Sequence, residues 1–442
     1  MRRPRRCATA LAAASAVLVL AAPAANAVAR PAPSAACDAA RGAVTDSVDT
    51  LVTRHGVPGA AAEVVDPGCG RWTAASGVAD RATGRPMNAG DRLRIGSVTK
   101  TFTATVVVQL AAEGRIALDA PVERYLPGLI RGNGYDGRTI TVRQLLQHTS
   151  GLPDYVESLG KGPVNEWRFR HFEPRELIAA ALKMPHPDKR WHYATTNAVI
   201  AGLVVEKVTG RGVEAEVTRR ILDPLGLRDT YWPGDSTRIR GPHSHSYFPY
   251  VPTPERQASE RQGAEQESQE QEGREPQGRE PQGREQPGQE QPGQEQPNGT
   301  PLADGTAWNT TFGGAGGALI STPADVNRFY RGLFGGKLLP ARWLAEMKHT
   351  VPADPQRLWP GARYGLGLIA SPLQCGGMWW GHSGTVPGGH RALGAVTPDG
   401  RSIALALNKV PETDQAEANF RAIVDRAFCA GHRTPHQIEE ST

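Results

Sequence analysis

Apolar residues fall into four patterns along this chain, and each pattern predicts a different kind of segment. The first is a nearly unbroken apolar run, Ala10 to Ala22, preceded by Arg2, Arg3, Arg5 and Arg6 and followed by Ala25-Asn26-Ala27. A basic start, an apolar centre and a small-residue end predict a cleavable secretory signal over residues 1–27. The run is too short for a retained membrane anchor. Cys7 precedes the apolar centre, which argues against a lipid anchor. The second pattern has apolar positions at three- and four-residue spacing, which predicts helices. It covers Asp38 to Arg54 and dominates from about Val106 to Arg240. There TVRQLLQHTSG opens with a Thr141 to Gln144 capping box, and NAVIAGLVVEKVTG stops on Gly210.

The third pattern is short apolar stretches between turn residues, which predicts strands. GAAAEVVDPGCGRWTAASGVAD reads as two strands around Pro67-Gly68. MWWGHSG, GHRALGAVTPDG and RSIALALNKV read as strands ahead of a helix through DQAEANFRAIVDRAF. In the fourth, residues 253–300, apolar residues almost vanish and the period is five: GREPQ, GREPQ, GREQP, GQEQP, GQEQP. Such a stretch cannot bury enough apolar surface to offset its ordering entropy, so it is expected to be a disordered insertion, a tolerated loop expansion. Strands at both ends with helices between them predict the α/β class: a mostly antiparallel sheet pairing the two ends, with a helical subdomain. The expected organisation is one domain over 37–432, interrupted by 253–300 and followed by a polar tail over 433–442.

Charge and cysteine content narrow the class. The formal net charge of +5 includes Arg2, Arg3, Arg5 and Arg6, so the chain after residue 27 is nearly neutral. With no patch mixing aromatic and basic residues, a nucleic-acid partner is not expected. Cys37, Cys69, Cys375 and Cys429 remain, an even number that in an exported chain implies two disulfides. Sequence alone allows three pairings, and the expected one is Cys37 with Cys69 and Cys375 with Cys429. No cysteine pair has zinc-ligand spacing, His243-Ser244-His245 is too short a signal, and neither a metal nor a cofactor is expected.

The candidate chemistry begins at RIGSVTKTF. Ser97 is a good residue to begin and cap the apolar helix that follows. Lys100 is not explained that way, because a capping box wants Glu or Gln at that position and a cation there opposes the helix dipole. Dipole and burial together favour a neutral, proton-accepting amine one helical turn from the Ser97 hydroxyl, which makes Ser-x-x-Lys a candidate activated nucleophile. Two further polar segments supply matching chemistry: Arg190-Trp191-His192-Tyr193-Ala194-Thr195-Thr196-Asn197, and Gly381-His382-Ser383-Gly384-Thr385-Val386-Pro387-Gly388-Gly389.

With these three segments, and with TVRQLLQHTSGLPDY, GRIALDAPVERYLPG and GGAGGALISTPADVNRFYRGLFGG beside them, the chain resembles the penicillin-recognising serine hydrolases. That family includes class C β-lactamases, secreted D-alanyl-D-alanine carboxypeptidases of the Streptomyces type and related esterases. The resemblance implies a β-lactamase/transpeptidase-like fold, with a sheet of five or more strands flanked by terminal helices. It implies Ser97 as the acylated nucleophile, Lys100 and Tyr193 as proton carriers, and the backbone amides of Ser97 and Thr385 as the oxyanion hole. His382-Ser383-Gly384 would take the place of the Lys-Thr-Gly strand motif. Thr195 stands where Asn is usual, and as a hydroxyl it has one hydrogen bond to donate. Between Tyr364 and Trp380 there is no Arg or Lys to hold a terminal carboxylate, leaving Ser383, Thr385 and charged His382 as candidates.

Trp308, Phe312, Trp379 and Trp380 read as core aromatics, with Trp308 the best candidate for a cleft wall. Asn309-Thr310-Thr311 matches a glycosylation sequon and is given no role. The expected function is an exported serine hydrolase, D-alanyl-D-alanine carboxypeptidase-like on peptidoglycan stem peptides, with a β-lactamase or an esterase as alternatives. A catalytically silent β-lactam sensor or wall-binding protein is the rival from another class. The expected partner is a small-molecule or peptide substrate, on the cell-wall side and without stable membrane insertion.

Overall fold

The computed structural model describes residues 35–161, 164–250 and 301–430. The signal at 1–27, the insertion at 253–300 and the tail at 433–442 lie outside the described residues. Everything below concerns the described residues of the unit 34–442.

The strands are β1 (Gly59–Asp66), β2 (Gly70–Asp80), β3 (Arg85–Pro86), β4 (Leu93–Arg94), β5 (Arg131–Gly132), β6 (Tyr135–Asp136), β7 (Tyr247–Pro249), β8 (Leu302–Asp304), β9 (Ile320–Ser321), β10 (Val351–Pro352), β11 (Arg363–Tyr364), β12 (Ile369–Pro372), β13 (Met378–Thr385), β14 (Arg391–Val396) and β15 (Ser402–Leu407). Nine of them form one sheet in the order β10-β11-β12-β13-β14-β15-β1-β2-β3. Its neighbours pair antiparallel, as the sequence predicts. β1 lies between the two ends of the chain, with Ala60 opposite Leu407 on one side and Ser76 on the other.

This sheet is buried on both faces, and side-chain size differs between them because successive residues of a strand point to opposite sides. Ala60, Ala62 and Val64 of β1, Leu393 of β14 and Ile403, Leu405 and Leu407 of β15 pack with Val44, Val48 and Leu51 of the helix Ala35–Thr53. Phe420, Ile423 and Phe428 of the helix Asp414–Cys429 join the same cluster. The opposite face presents Ala61, Ala392, Ala404 and Ala406 toward the helical part. Small residues there admit the helix Pro323–Phe334 so closely that a methyl group added to Gly394 would lie 2.4 Å from the Tyr330 ring.

Both expected disulfides are present. Cys37–Cys69 ties the first helix to the β1–β2 turn, and Cys375–Cys429 ties the β12–β13 turn to the last helix. In the helical part the Thr141 to Gln144 capping box forms in both directions, and Gly210 ends the helix Thr195–Thr209 at a φ of 72°. The expected cap at Ser97 is corrected. The helix runs Thr99–Ala112 with Val98 at its N-cap, and Ser97 sits one residue earlier in a 3-10 turn, Gly96–Val98, without capping either element. No helix among the described residues is long and apolar enough to cross a membrane.

Residues 251–300 connect the two arms of a hairpin: Pro249 pairs with Leu302, and the Tyr250 amide donates to the Pro301 carbonyl at 2.8 Å. Because the arms already meet there, replacing 253–298 with a four-residue turn is expected to leave the thermal midpoint within about 3 °C of the parent by calorimetry. A fall of more than about 10 °C would show that the segment holds the two halves together.

Candidate active site

Sequence positions far apart meet in one cleft of about 530 Å³, whose lining includes Ser97, Asp154, Tyr193, Thr195, Trp308, Arg357, His382, Ser383, Thr385 and Arg391. β4 delivers the 3-10 turn bearing Ser97 to its floor, and β13 forms the adjoining wall. Two glycines allow these segments to touch. Gly96 has a φ of 50°, and a Cβ on it would lie 2.7 Å from the Thr385 carbonyl oxygen and 3.0 Å from the Thr385 nitrogen. Reciprocally, a Cβ on Gly384 would lie 1.9 Å from the Ile95 oxygen and 2.9 Å from the Ser97 nitrogen. The amide nitrogens of Ser97 and Thr385 thus both lie at one glycine-lined contact. A pair of fixed backbone donors so placed is suited to an oxygen that gains negative charge.

Lys100 projects from the first turn of the helix toward Ser97 and is 3% exposed. Its Nζ is 2.9 Å from Ser97 Oγ, 3.0 Å from the Gly316 carbonyl oxygen and 3.4 Å from Thr195 Oγ1. Gly316 leaves the necessary space, since a Cβ there would meet Lys100 Nζ at 3.2 Å. Nζ also lies 4.9 Å from the centre of the Tyr193 ring. Serine, lysine and tyrosine are therefore brought together from positions 97, 100 and 193, a spacing that allows proton transfer between hydroxyl and amine.

Thr195 is not free to donate into the cleft. Its hydroxyl donates to Asp154 Oδ2 at 3.3 Å while it accepts from Lys100, so the single donor expected for a substrate is committed to a carboxylate. Asp154 is 4% exposed, and its other oxygen accepts from the Val156 amide at 3.3 Å.

His382 also departs from expectation. It is buried, and burial, with Lys100 and Arg391 nearby, pushes its pKa down to about 3. A neutral imidazole cannot serve as the charged anchor for a carboxylate, and that reading is withdrawn. Its Nδ1 faces the Ser383 carbonyl oxygen and its Nε2 is 2.8 Å from the Tyr364 hydroxyl.

Cations reach the cleft from segments other than Tyr364 to Trp380. Arg391 hydrogen-bonds the Gly384 carbonyl oxygen at 3.2 Å and is paired with Glu417. Arg357 is exposed and its guanidinium carbon lies 4.8 Å above the Tyr193 ring. Arg94 is fully buried, and burial lowers its pKa to about 10. It donates to the carbonyls of Thr237 and Thr306, at 2.6 and 3.1 Å, on the two arms of the chain that lead to and from the β7–β8 hairpin. Trp308 is 2% exposed and still lines the cleft, so it serves both core and wall.

Sequence reading missed Asp154, Arg357, Tyr364 and His148. Asp154 ends the loop segment Gly151-Leu152-Pro153-Asp154 and has the look of an ordinary loop acid. The signal available was an unpaired acid between apolar neighbours. His148 lies inside TVRQLLQHTSG, a segment legible only as a capped helix. Among the described residues no cluster of His, Cys, Asp and Glu could hold a metal ion.

A family model described as Beta-lactamase matches residues 44–428. Over 199 residues the chain is 35% identical to Penicillin-binding protein 4 of Amycolatopsis lactamdurans, covering 45% of this chain and 51% of that protein. Over 193 residues it is 37% identical to Esterase EstB of Burkholderia gladioli, covering 41% of this chain and 48% of that one. The matched regions thus span about half the length of these curated relatives. A D-stereospecific amidohydrolase from Streptomyces sp. superposes with a TM-score of 0.70 at 37% identity, covering 88% of this chain and 98% of its own.

Proposed function

Since this chain belongs to the Beta-lactamase family and is a serine hydrolase, we propose that it cleaves D-amino acid amides and esters with a free α-ammonium group, through an acyl-enzyme on Ser97. Ser97 Oγ attacks the carbonyl carbon as its one proton passes to the neutral Lys100 amine, and from there by way of the Tyr193 hydroxyl toward the leaving group. The oxyanion forms against the amides of Ser97 and Thr385. The bond to the leaving amine or alkoxide then breaks as that group takes up the proton. Water attacks the acyl carbon in the second half, restoring the serine hydroxyl and releasing the acid.

The observation that carries this reading is Asp154, a buried carboxylate in the cleft wall, joined through Thr195 to Lys100. An acid at that place is complementary to an ammonium beside the scissile carbonyl, and the preference for D stereochemistry rests on the likeness to the amidohydrolase. A second reading, the carboxypeptidase-like activity on stem peptides, is favoured by Arg357. Its exposed guanidinium above the Tyr193 ring is placed for the carboxylate of a departing D-amino acid. We also propose that the protein acts outside the cytoplasm. Its two disulfides support an oxidising compartment.

Rates on D-alanine p-nitroanilide, its N-acetyl derivative, p-nitrophenyl butyrate, nitrocefin and an N-acylated peptide ending in D-Ala-D-Ala separate these readings. Asp154→Asn is expected to raise KM for the free amine about 10- to 100-fold, the worth of a charge-assisted hydrogen bond. The N-acetyl substrate should be nearly unaffected. Equal effects on both would remove the ammonium reading. Turnover of the N-acylated peptide alone would select the carboxypeptidase, and fast nitrocefin turnover a β-lactamase.

A further inference from the structure

We propose that His148 and Tyr364 are positioning residues of this hydrolase: with His382 they form an uncharged, one-directional row of hydrogen bonds that locks the Tyr193 turn to the strand bearing Ser383-Gly384-Thr385. The proposal rests on the Ser97 reading above for its catalytic consequence but not for its geometry.

Each end of the row is a backbone group whose direction cannot reverse. At one end the Ala194 amide donates to His148 Nδ1 at 3.2 Å. The Asn197 side-chain nitrogen, 3.1 Å away, donates to the same atom. The Asn197 amide cannot flip without loss, because its oxygen accepts from Ser150 Oγ at 2.7 Å. At the other end, the Ser383 carbonyl oxygen can only accept, so His382 carries its proton on Nδ1. Between these ends the directions are forced. His148 Nδ1 accepts, so Nε2 is protonated and donates to the Tyr364 oxygen at 3.3 Å. Tyr364 then donates to His382 Nε2 at 2.8 Å.

The row crosses from the Tyr193 turn to β13 through three fully buried side chains. His148 holds that turn in two more ways: its carbonyl accepts from the His192 amide at 2.9 Å, and its ring centre lies 4.3 Å from that of Tyr193. His148 adopts a left-handed φ of 59°, a conformation disfavoured for a non-glycine residue that persists only where its surroundings hold it.

An added proton on either imidazole would set donor against donor somewhere along the row. Burial acts in the same direction: it drives both imidazoles to titrate well below the ordinary histidine range and the Tyr364 phenol well above the ordinary tyrosine range. The charged groups facing His382 are Lys100 from the helix Thr99–Ala112 and Arg391 from β14, the latter paired with Glu417. The groups facing His148 are Lys100, Arg357 and the imidazoles of His382 and His192, and the Tyr193 ring lies tilted against it. A protonated His382 would place a cation beside Lys100, the group that takes up the serine proton, and the row opposes it.

Tyr364→Phe keeps the ring contacts and removes both hydrogen bonds of the phenol. We expect kcat to fall about tenfold throughout pH 6 to 9 with KM within about twofold, because the Tyr193 segment and β13 are no longer joined while burial still keeps His382 neutral. A loss carried mainly by KM, or no loss, would overturn the proposal. Histidine-selective 15N NMR on the full chain reads the same claim without turnover. His382 should be protonated on Nδ1 only and His148 on Nε2 only, neither becoming doubly protonated down to pH 5. Any other tautomer pair overturns the row, whichever bond Ser97 attacks.

Discussion

Ser97→Ala is expected to lower kcat by about four to six orders of magnitude on every acyl substrate the protein turns over, the size of effect seen when a serine nucleophile is removed. The hydroxyl removed is the partner 2.9 Å from Lys100 Nζ, and Lys100 keeps its other two partners, Gly316 and Thr195. Ser97 also caps no helix, so the fold does not depend on its side chain. The loss should therefore appear in kcat with the thermal midpoint unchanged. Covalent labelling by a fluorescent penicillin should vanish with it. A label that persisted in the variant would remove Ser97 as the nucleophile.

Gly384→Ala is expected to produce the second-largest effect, although no functional group is lost. The new methyl would lie 1.9 Å from the Ile95 carbonyl oxygen and 2.9 Å from the Ser97 nitrogen. Both neighbours are backbone, held by the β4–β9 pairing and by the helix that follows, and neither can rotate aside as a side chain would. β13 must retreat, which separates the amides of Thr385 and Ser97. The expected fall in kcat is about 10²- to 10³-fold, the worth of one oxyanion donor. Overpacking should cost a further 1–3 kcal/mol or so of stability. Measured well below the thermal midpoint, a kcat within about threefold of the parent would mean that this contact does not hold the developing oxyanion.

The fold was legible in the sequence where local pattern decides it. The helix expected over Asp38 to Arg54 occurs at Ala35–Thr53, and the two strands around Pro67-Gly68 are β1 and β2. The three strands expected near the C-terminus are β13 to β15. Lys100 was legible for a different reason: it conflicts with local helix preference, and such a conflict often marks a residue retained for its chemistry. Asp154 and Tyr364 conflict with nothing nearby. One sits in a loop and the other in a two-residue strand, and their meaning comes from partners 41 and 18 positions away. The roles expected of Thr195 and His382 changed for the same reason. Thr195 has its one donor engaged by Asp154, and burial denies His382 a second proton. Neither neighbour is visible from the motifs that contain them.

The place of β1 in the sheet has a consequence for how the protein is made. Its partner β15 begins more than 330 residues later in the sequence, so the middle of the sheet closes only after nearly all of the chain has left the ribosome. Until then β1 has an open side, a template on which another chain can pair. A chain cut short before Ser402 keeps Ser97, Lys100 and Tyr193 and loses the strand that covers that edge. Premature termination near the C-terminus therefore threatens aggregation before it threatens chemistry. The sheet stays open until its last strands have been made.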